Sequence, residues 1–147
     1  MAVKPIPDGY QTVIPYLIVA DPAATIDFLV KSFGAVEKER MADGSGAIRH
    51  AEVTIGGSTI MMGGARGDWP PMPCMNYVYV PDTDAAYARA LEAGATSVME
   101  PADQFYGDRN AGVCDPTGNQ WWIATHVVDV HSDELARRAE AAQTSHA

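Results

Sequence analysis

The segment "RHAEVTI" places His50 and Glu52 two residues apart. In an extended strand two such residues share a face with their Cα atoms roughly 6.5–7 Å apart, near enough for an imidazole and a carboxylate to share a proton. The pair can act as general acid and base, can orient a ligand by hydrogen bonds, or can satisfy itself as a rim ion pair. In an apolar cleft the carboxylate is expected to carry a raised pKa. A second set is aromatic and soft: Tyr16, Tyr77, Tyr79 and Trp122, with Met61 and Met75. Gathered on one surface, they would stack on a flat aromatic or conjugated molecule. Filling the concave side of a sheet, or a dimer interface, is the alternative use of the same rings. Arg109 ends "QFYGDR", Gln104 to Arg109, which reads as a loop over the cavity mouth. There it would meet an anionic ligand, unless Asp108 takes it as an ion-pair partner. A metal held by His50, Glu52 and a third group such as His126 ranks below these readings. His131 and His146 lie in the tail and join no constellation. The chain has no Gly-rich phosphate loop, no nucleophile elbow and no Ser/His/Asp arrangement.

Positioning these residues falls to a repeat. "PYLIVADPAATIDFLVKSFGA" from Pro15 and "NYVYVPDTDAAYARALEAGA" from Asn76 align at a constant offset, so that Tyr16 falls on Tyr77, Val19 on Val80 and Asp21 on Asp82. In the first copy Asp21 is a helix N-cap and Pro22 the first helical residue. Ile26, Leu29, Val30 and Phe33 follow at helical spacing, and Gly34 supplies a left-handed stop. In the second, Asp82 caps and Gly94 stops. Three strand candidates follow each helix: Val36 to Met41, Ala47 to Ile55 and Ser58 to Met62, then Thr96 to Glu100, Asn110 to Asp115 and Asn119 to His126. The Gly56-Gly57 turn pairs Ile55 with Ser58 and Val53 with Ile60, which puts Thr59 and Met61 on the face of Glu52.

Adjacent Trp121 and Trp122 in "DPTGNQWWIATH" cannot share a face of a strand. Trp121 and Ile123 are assigned to the helix side, and Trp122 to the open side with Tyr16, Met75, Tyr77 and Tyr79. The predicted fold is therefore α+β: one domain over residues 1–147 made of tandem βαβββ modules that form a curved mixed sheet with a concave cavity and helices on the outer face. Module one spans about 11–62, a Gly/Pro-rich linker 63–73, module two about 74–127, and a C-terminal helical tail 132–143, with Ser132 as its N-cap.

Composition narrows the partners. Hydrophobic residues make up 47% of the chain and charged residues 20%, as in a globular domain. Nineteen acidic against ten basic side chains give a net charge of −9 with no basic cluster, which argues against nucleic acid and anionic membrane as partners. "MAVKPIPDGYQ" has no apolar signal core, and no run is long enough to span a bilayer. Cys74 and Cys114 lack a CxxC or zinc-type spacing and read as reduced thiols. The expected location is cytoplasmic.

A tandem βαβββ chain with "YLIVAD", "IDF", "GA" and "DPTGNQW" in this order resembles the vicinal oxygen chelate superfamily, the glyoxalase/bleomycin resistance protein/dioxygenase group, over about residues 9–135. "HAE", "QFYGDR" and "ATH..DV" make it similar to the PhnB-like subgroup. In metal-using relatives each module gives one His, Gln or Glu ligand from its first strand and one from its last. The resemblance places those four positions here at Ile14, Met61, Met75 and Trp122. Alkyl, thioether and indole groups are not ligands for a hard cation, and a one-residue slip to Ile60 or Met62 restores none. No metal and no cofactor are expected. The expected function is metal-independent binding of a small, flat organic molecule, with resistance by sequestration as the purpose the resemblance implies. The alternative is a metal-free isomerase, lyase or cyclase using His50 and Glu52, and a metal-dependent glyoxalase or dioxygenase comes third. A homodimer is expected, because curved sheets of this kind leave edges to cover.

Overall fold

The computed structural model describes residues 2–145, so His146 lies outside the described residues. The order is β1 (Tyr16–Val19), α1 (Pro22–Phe33), β2 (Val36–Ala42), β3 (Ile48–Ile55), β4 (Ser58–Gly64), β5 (Met75–Tyr79), α2 (Thr83–Glu92), β6 (Thr96–Asp103), β7 (Asp108–Cys114), β8 (Gln120–His126) and α3 (Ser132–Ser145). Each module makes its own four-stranded mixed sheet, ordered β1-β4-β3-β2 and β5-β8-β7-β6. The first strand of each module runs parallel to its last, and the other neighbours are antiparallel.

Local chemistry sets the helix ends. The Asp21 carboxylate accepts from the Ala24 N–H and the Asp82 carboxylate from the Ala85 N–H, each satisfying a donor that the first helical turn leaves open. α1 stops at Gly34, whose φ of 68° is the left-handed conformation open to a residue without Cβ. α2 ends one residue earlier than the repeat suggests: Ala93 caps it, and Gly94 carries the positive φ just beyond. α3 also departs from expectation. Its first backbone bond runs from the Leu135 N–H to the His131 carbonyl, so the helix begins at Ser132 instead of being capped by it, and it continues to Ser145.

Leu17, Val19, Ala51, Val53 and Met62 of the first sheet are buried in one core with Val113, Trp121 and Ile123 of the second, together with Ile26, Phe28 and Leu29 of α1 and Ala86 and Ala90 of α2. The modules meet through α1 and α2. There the Phe33 and Trp121 rings lie 5.6 Å apart, Thr25 and Thr117 share a hydroxyl hydrogen bond of 3.0 Å, and Arg89 Nε donates to the Ser32 carbonyl. Trp121 is thus a core residue whose indole N–H donates to buried Asp115 at 2.9 Å, whereas Trp122 lies on the opposite face of β8.

The segment 63–73 is more than a linker. Gly63 and Gly64 extend β4, the Ala65 N–H donates to the Val19 carbonyl, and the Met72 N–H donates to the Ile18 carbonyl. Backbone bonds therefore return the chain to β1 at both ends of the loop. No described helix is long and apolar enough to cross a membrane.

Candidate functional site

On the face of the first sheet turned away from α1, Tyr16, Met61 and Glu52 stand side by side on β1, β4 and β3. Four side chains form one hydrogen-bonded chain there. The Tyr10 hydroxyl donates to Glu52 Oε1 at 2.5 Å, His50 Nε2 meets Glu52 Oε2 at 2.7 Å, and the Tyr16 hydroxyl meets His50 Nδ1 at 2.9 Å. Burial, the strongest influence on Glu52, pushes its pKa up. Hydrogen bonds from His50 and Tyr10 and the charges of His50 and Lys38 together outweigh it and hold the carboxyl below its ordinary value. The raised pKa expected from the sequence is thus reversed, because donors distant in the chain surround the group. In the tautomer with its proton on Nε2, the imidazole donates to the Glu52 carboxylate and leaves Nδ1 to accept from the Tyr16 hydroxyl. Proton transfer at this face would then run through the Tyr16 hydroxyl, backed by His50 and Glu52.

The Tyr16 ring forms one wall of a cleft of about 460 Å³, completed by Ile18, Arg49, Gly63, Gly64 and the returning loop residues Arg66, Trp69 and Met72. Gly63 fits this wall closely: a Cβ there would sit 3.1 Å from the Tyr16 hydroxyl and from the Arg49 carbonyl, so a side chain would press on both.

Module two gathers Met75, Tyr77, Tyr79 and Trp122 on the corresponding face. Tyr77 and Tyr79 both donate to Asp108 Oδ2, at 2.7 and 2.9 Å, and their rings meet edge to face at 5.4 Å. His126 Nδ1 lies 2.8 Å from Asp108 Oδ1, and its Nε2 lies 2.7 Å from Asp129. Burial would raise the Asp108 pKa, but hydrogen bonds from Tyr77, His126 and Tyr79 lower it on balance. Burial and then the Asp108 bond push the Tyr77 phenol up, and hydrogen bonds to Asp108 and Asp129 raise His126. The Asn110 amide donates to Tyr106 at 2.6 Å and to Tyr77 at 3.2 Å, while its buried Oδ1 has no hydrogen-bond partner among the described residues. A smaller cleft of about 280 Å³ opens here between Met75, Tyr77, Met99, Tyr106, Asn110 and Trp122. The Trp122 indole lies flat against the backbone of Gly112, where a Cβ would come within 2.9 Å of the ring. The "QFYG" loop does lie over this face, through Tyr106.

The sequence-predicted residues therefore form two sets. His50, Glu52, Tyr16 and Met61 come together on module one, and Met75, Tyr77, Tyr79 and Trp122 on module two; among the described residues no hydrogen bond, ring contact or strand pairing joins the sets. Arg109 belongs to neither. Ala111 and Val113, its companions in alternation along β7, are in the core. Its guanidinium is held by both Asp84 oxygens, at 2.7 and 2.9 Å, and by Asp103 at 3.2 Å, so its partners are these two and not Asp108. Tyr10, Arg66, Trp69, Met72, Asp108 and Asn110 were missed as site residues. Strand alternation from Asp108 to Gly112 could have found the last two, whereas nothing local announces Tyr10.

Ile14, just before β1, and Met61, Met75 and Trp122 offer alkyl, thioether and indole groups, which do not fit a divalent cation. Among the described residues no three of His, Cys, Asp or Glu are grouped to hold one. Both cysteines are free.

The model of the Glyoxalase/Bleomycin resistance protein/Dioxygenase superfamily matches residues 11–123. Uncharacterized proteins of Mycobacterium bovis and Mycobacterium tuberculosis are each 39% identical over 135 residues, covering 82% of this chain and 87% and 78% of their own lengths. Among solved structures, TioX from a Micromonospora species aligns with a TM-score of 0.67 at 28% identity over 80% of this chain and 99% of its own. TnmS3, an antibiotic binding protein from a Streptomyces species, aligns with a TM-score of 0.63 at 22% identity over 86% of this chain and 98% of its own, a likeness of fold. The duplicated βαβββ architecture, its hydrogen-bonded open faces and the match over most of its length agree: the chain belongs to the Glyoxalase/Bleomycin resistance protein/Dioxygenase superfamily.

Proposed function

We propose that the protein binds a small, flat organic molecule on the open faces of its sheets, without a metal, and that it acts by sequestration. The observation that carries this reading is the cleft of about 460 Å³ framed by Tyr16, Trp69 and Met72, a volume within the range of ligand sites. Trp69 is 58% exposed and Tyr16 48%, an arrangement suited to stacking. That the same fold serves antibiotic binding in TnmS3 supports it. "HAE", "QFYGDR" and "ATHVVDV" favour a PhnB-like relative within the superfamily. The open rings on both modules and the unpaired edge of β5 favour a homodimer in which module one of one copy faces module two of the other. Native mass spectrometry of the purified full chain tests both points: a dimer retaining an unmodified organic mass is expected, and a monomer with stoichiometric metal would refute the reading.

A second reading is favoured by the Tyr10–Glu52–His50–Tyr16 chain that ends in the cleft wall. It is a metal-free isomerase, lyase or cyclase in which the Tyr16 hydroxyl exchanges a proton with substrate. Glu52→Gln separates the two: it should abolish turnover or solvent-deuterium exchange under the enzymatic reading and leave binding nearly intact under sequestration.

A further inference from the structure

Ten Lys and Arg side chains face nineteen carboxylates in this chain, and nine of the ten are engaged. Lys4, Lys31, Arg40, Arg49, Arg109, Arg137 and Arg138 form ion pairs. Arg89 donates to the Ser32 carbonyl, and Lys38 lies over the Tyr10 ring and reaches the Gly9 carbonyl. Arg66 is the exception: among the described residues its guanidinium has no ion pair, hydrogen bond or cation–π contact. With this excess of acid, a lone unpaired arginine is a feature of its position.

That position is built. The Arg66 N–H donates to the Trp69 carbonyl at 2.8 Å, and the Trp69 N–H donates to the Arg66 carbonyl at 2.6 Å. Residues that exchange both backbone bonds are directly opposed and carry their side chains on the same side. The two-residue turn between them uses Gly67 at a φ of +45°, and Asp68, the nearest carboxylate in sequence, makes no ion pair with Arg66. Bonds to Val19 and Ile18 anchor the loop on either side. Cation and indole therefore stand together on a tethered loop, both lining the cleft opposite Tyr16.

We infer that the module-one cleft selects a planar aromatic or conjugated molecule bearing an anionic group, a carboxylate or phenolate, with Arg66 as the anion's partner and Tyr16, Trp69 and Met72 around the ring. This rests on the small-molecule reading above and names its ligand class. Arg109, already saturated by Asp84 and Asp103, is not the anion site, and Arg49, the other guanidinium lining the cleft, is held by Asp43 at 2.6 Å. A planar guanidinium takes a carboxylate in two parallel bonds, stronger than neutral ones. The net charge of −9 disfavours anions at long range, so selectivity for the anion has to come from this contact and affinity from the rings.

The test is isothermal titration calorimetry of the full chain with naphthalene carboxylate and naphthalene carboxamide, a pair matched in shape. The carboxylate should bind about tenfold more tightly. Arg66→Gln, a change on an exposed turn, should bring it down to the affinity of the carboxamide, while Arg137→Gln, which removes an equal charge on α3, should leave the preference intact. Trp69→Ala should weaken both probes. Equal binding of the two probes to the unaltered protein, or a preference that survives Arg66→Gln, overturns the anion assignment and leaves small-molecule binding standing. Sensitivity to Trp122→Ala in place of Trp69→Ala moves the site to module two and overturns it also. If neither probe binds up to its solubility, the anion assignment and the broader reading both fall.

Discussion

Tyr16 and Tyr77 occupy the same point of the repeat, each paired with the middle of the last strand of its module, at Met61 and Trp122. Each hydroxyl reaches the third strand, at His50 in one module and Asn110 in the other. One step along the register the modules diverge. Opposite Met61 stands Glu52, and opposite Trp122 stands Gly112. A buried carboxylate in module one ties Tyr10, His50 and Tyr16 into a chain that can hold or move a proton. Glycine in module two removes the side chain and lets an indole lie flat as a platform. Asp108, farther along β7, anchors the tyrosines there instead. Duplication thus sets the frame, and at this register position the faces differ in whether a carboxylate or an indole occupies the space beside the last strand.

The contrast between core and open face should give the largest effect. Trp121→Ala is expected to cost about 3–5 kcal/mol of stability and Trp122→Ala less than about 1 kcal/mol, as denaturant unfolding would show; comparable losses would mean that Trp122 is also a core residue. Gly112→Ala comes next, with about 1–3 kcal/mol lost to overpacking and a changed near-ultraviolet circular dichroism band from a displaced Trp122. Smaller still is Glu52→Gln. It keeps the shape of the first module's network and exchanges charged for neutral hydrogen bonds, so roughly 1 kcal/mol is expected. If stability is unchanged, the chain behind Tyr16 is not held by its charge.

The smallest effect is pH-dependent and belongs to module two. The pKa of His126 is raised in the folded state, so its contribution is complete below its unfolded value of about 6.5 and is lost as pH rises through the folded value. Asp108 is lowered, so its contribution is present above about 3.9 and lost as pH falls. Melting temperature should therefore decline on going from about pH 6 to 8 in the unaltered chain, with a shallower decline in His126→Ala. An unchanged slope would detach His126 from Asp108.

Much of this frame is legible in the residues. Asp21, Pro22 and Gly34 bound α1 through short-range backbone chemistry, Gly56-Gly57 fixes the β3–β4 register, and two-residue alternation separates Trp121 from Trp122. The same alternation, carried through β7, would have turned Arg109 toward α2. What escaped is non-local. Tyr10 precedes any periodic element and reaches Glu52 across 42 residues, and that contact, with His50, inverts the expected pKa shift. The Gly/Pro-rich stretch reads as a spacer because its anchoring to β1 lies in backbone bonds that no side-chain pattern encodes.

The chain holds three tryptophans, one in each relevant environment: Trp69 on the module-one cleft, Trp122 on the module-two face and Trp121 in the core. Their indole N–H groups give three separate signals in a nitrogen–proton correlation spectrum of labelled protein. Titration with naphthalene carboxylate should move the Trp69 signal saturably and leave Trp121 in place. Shifts confined to Trp121, or equal at all three, would contradict the assignment of the open faces as the ligand-binding surface.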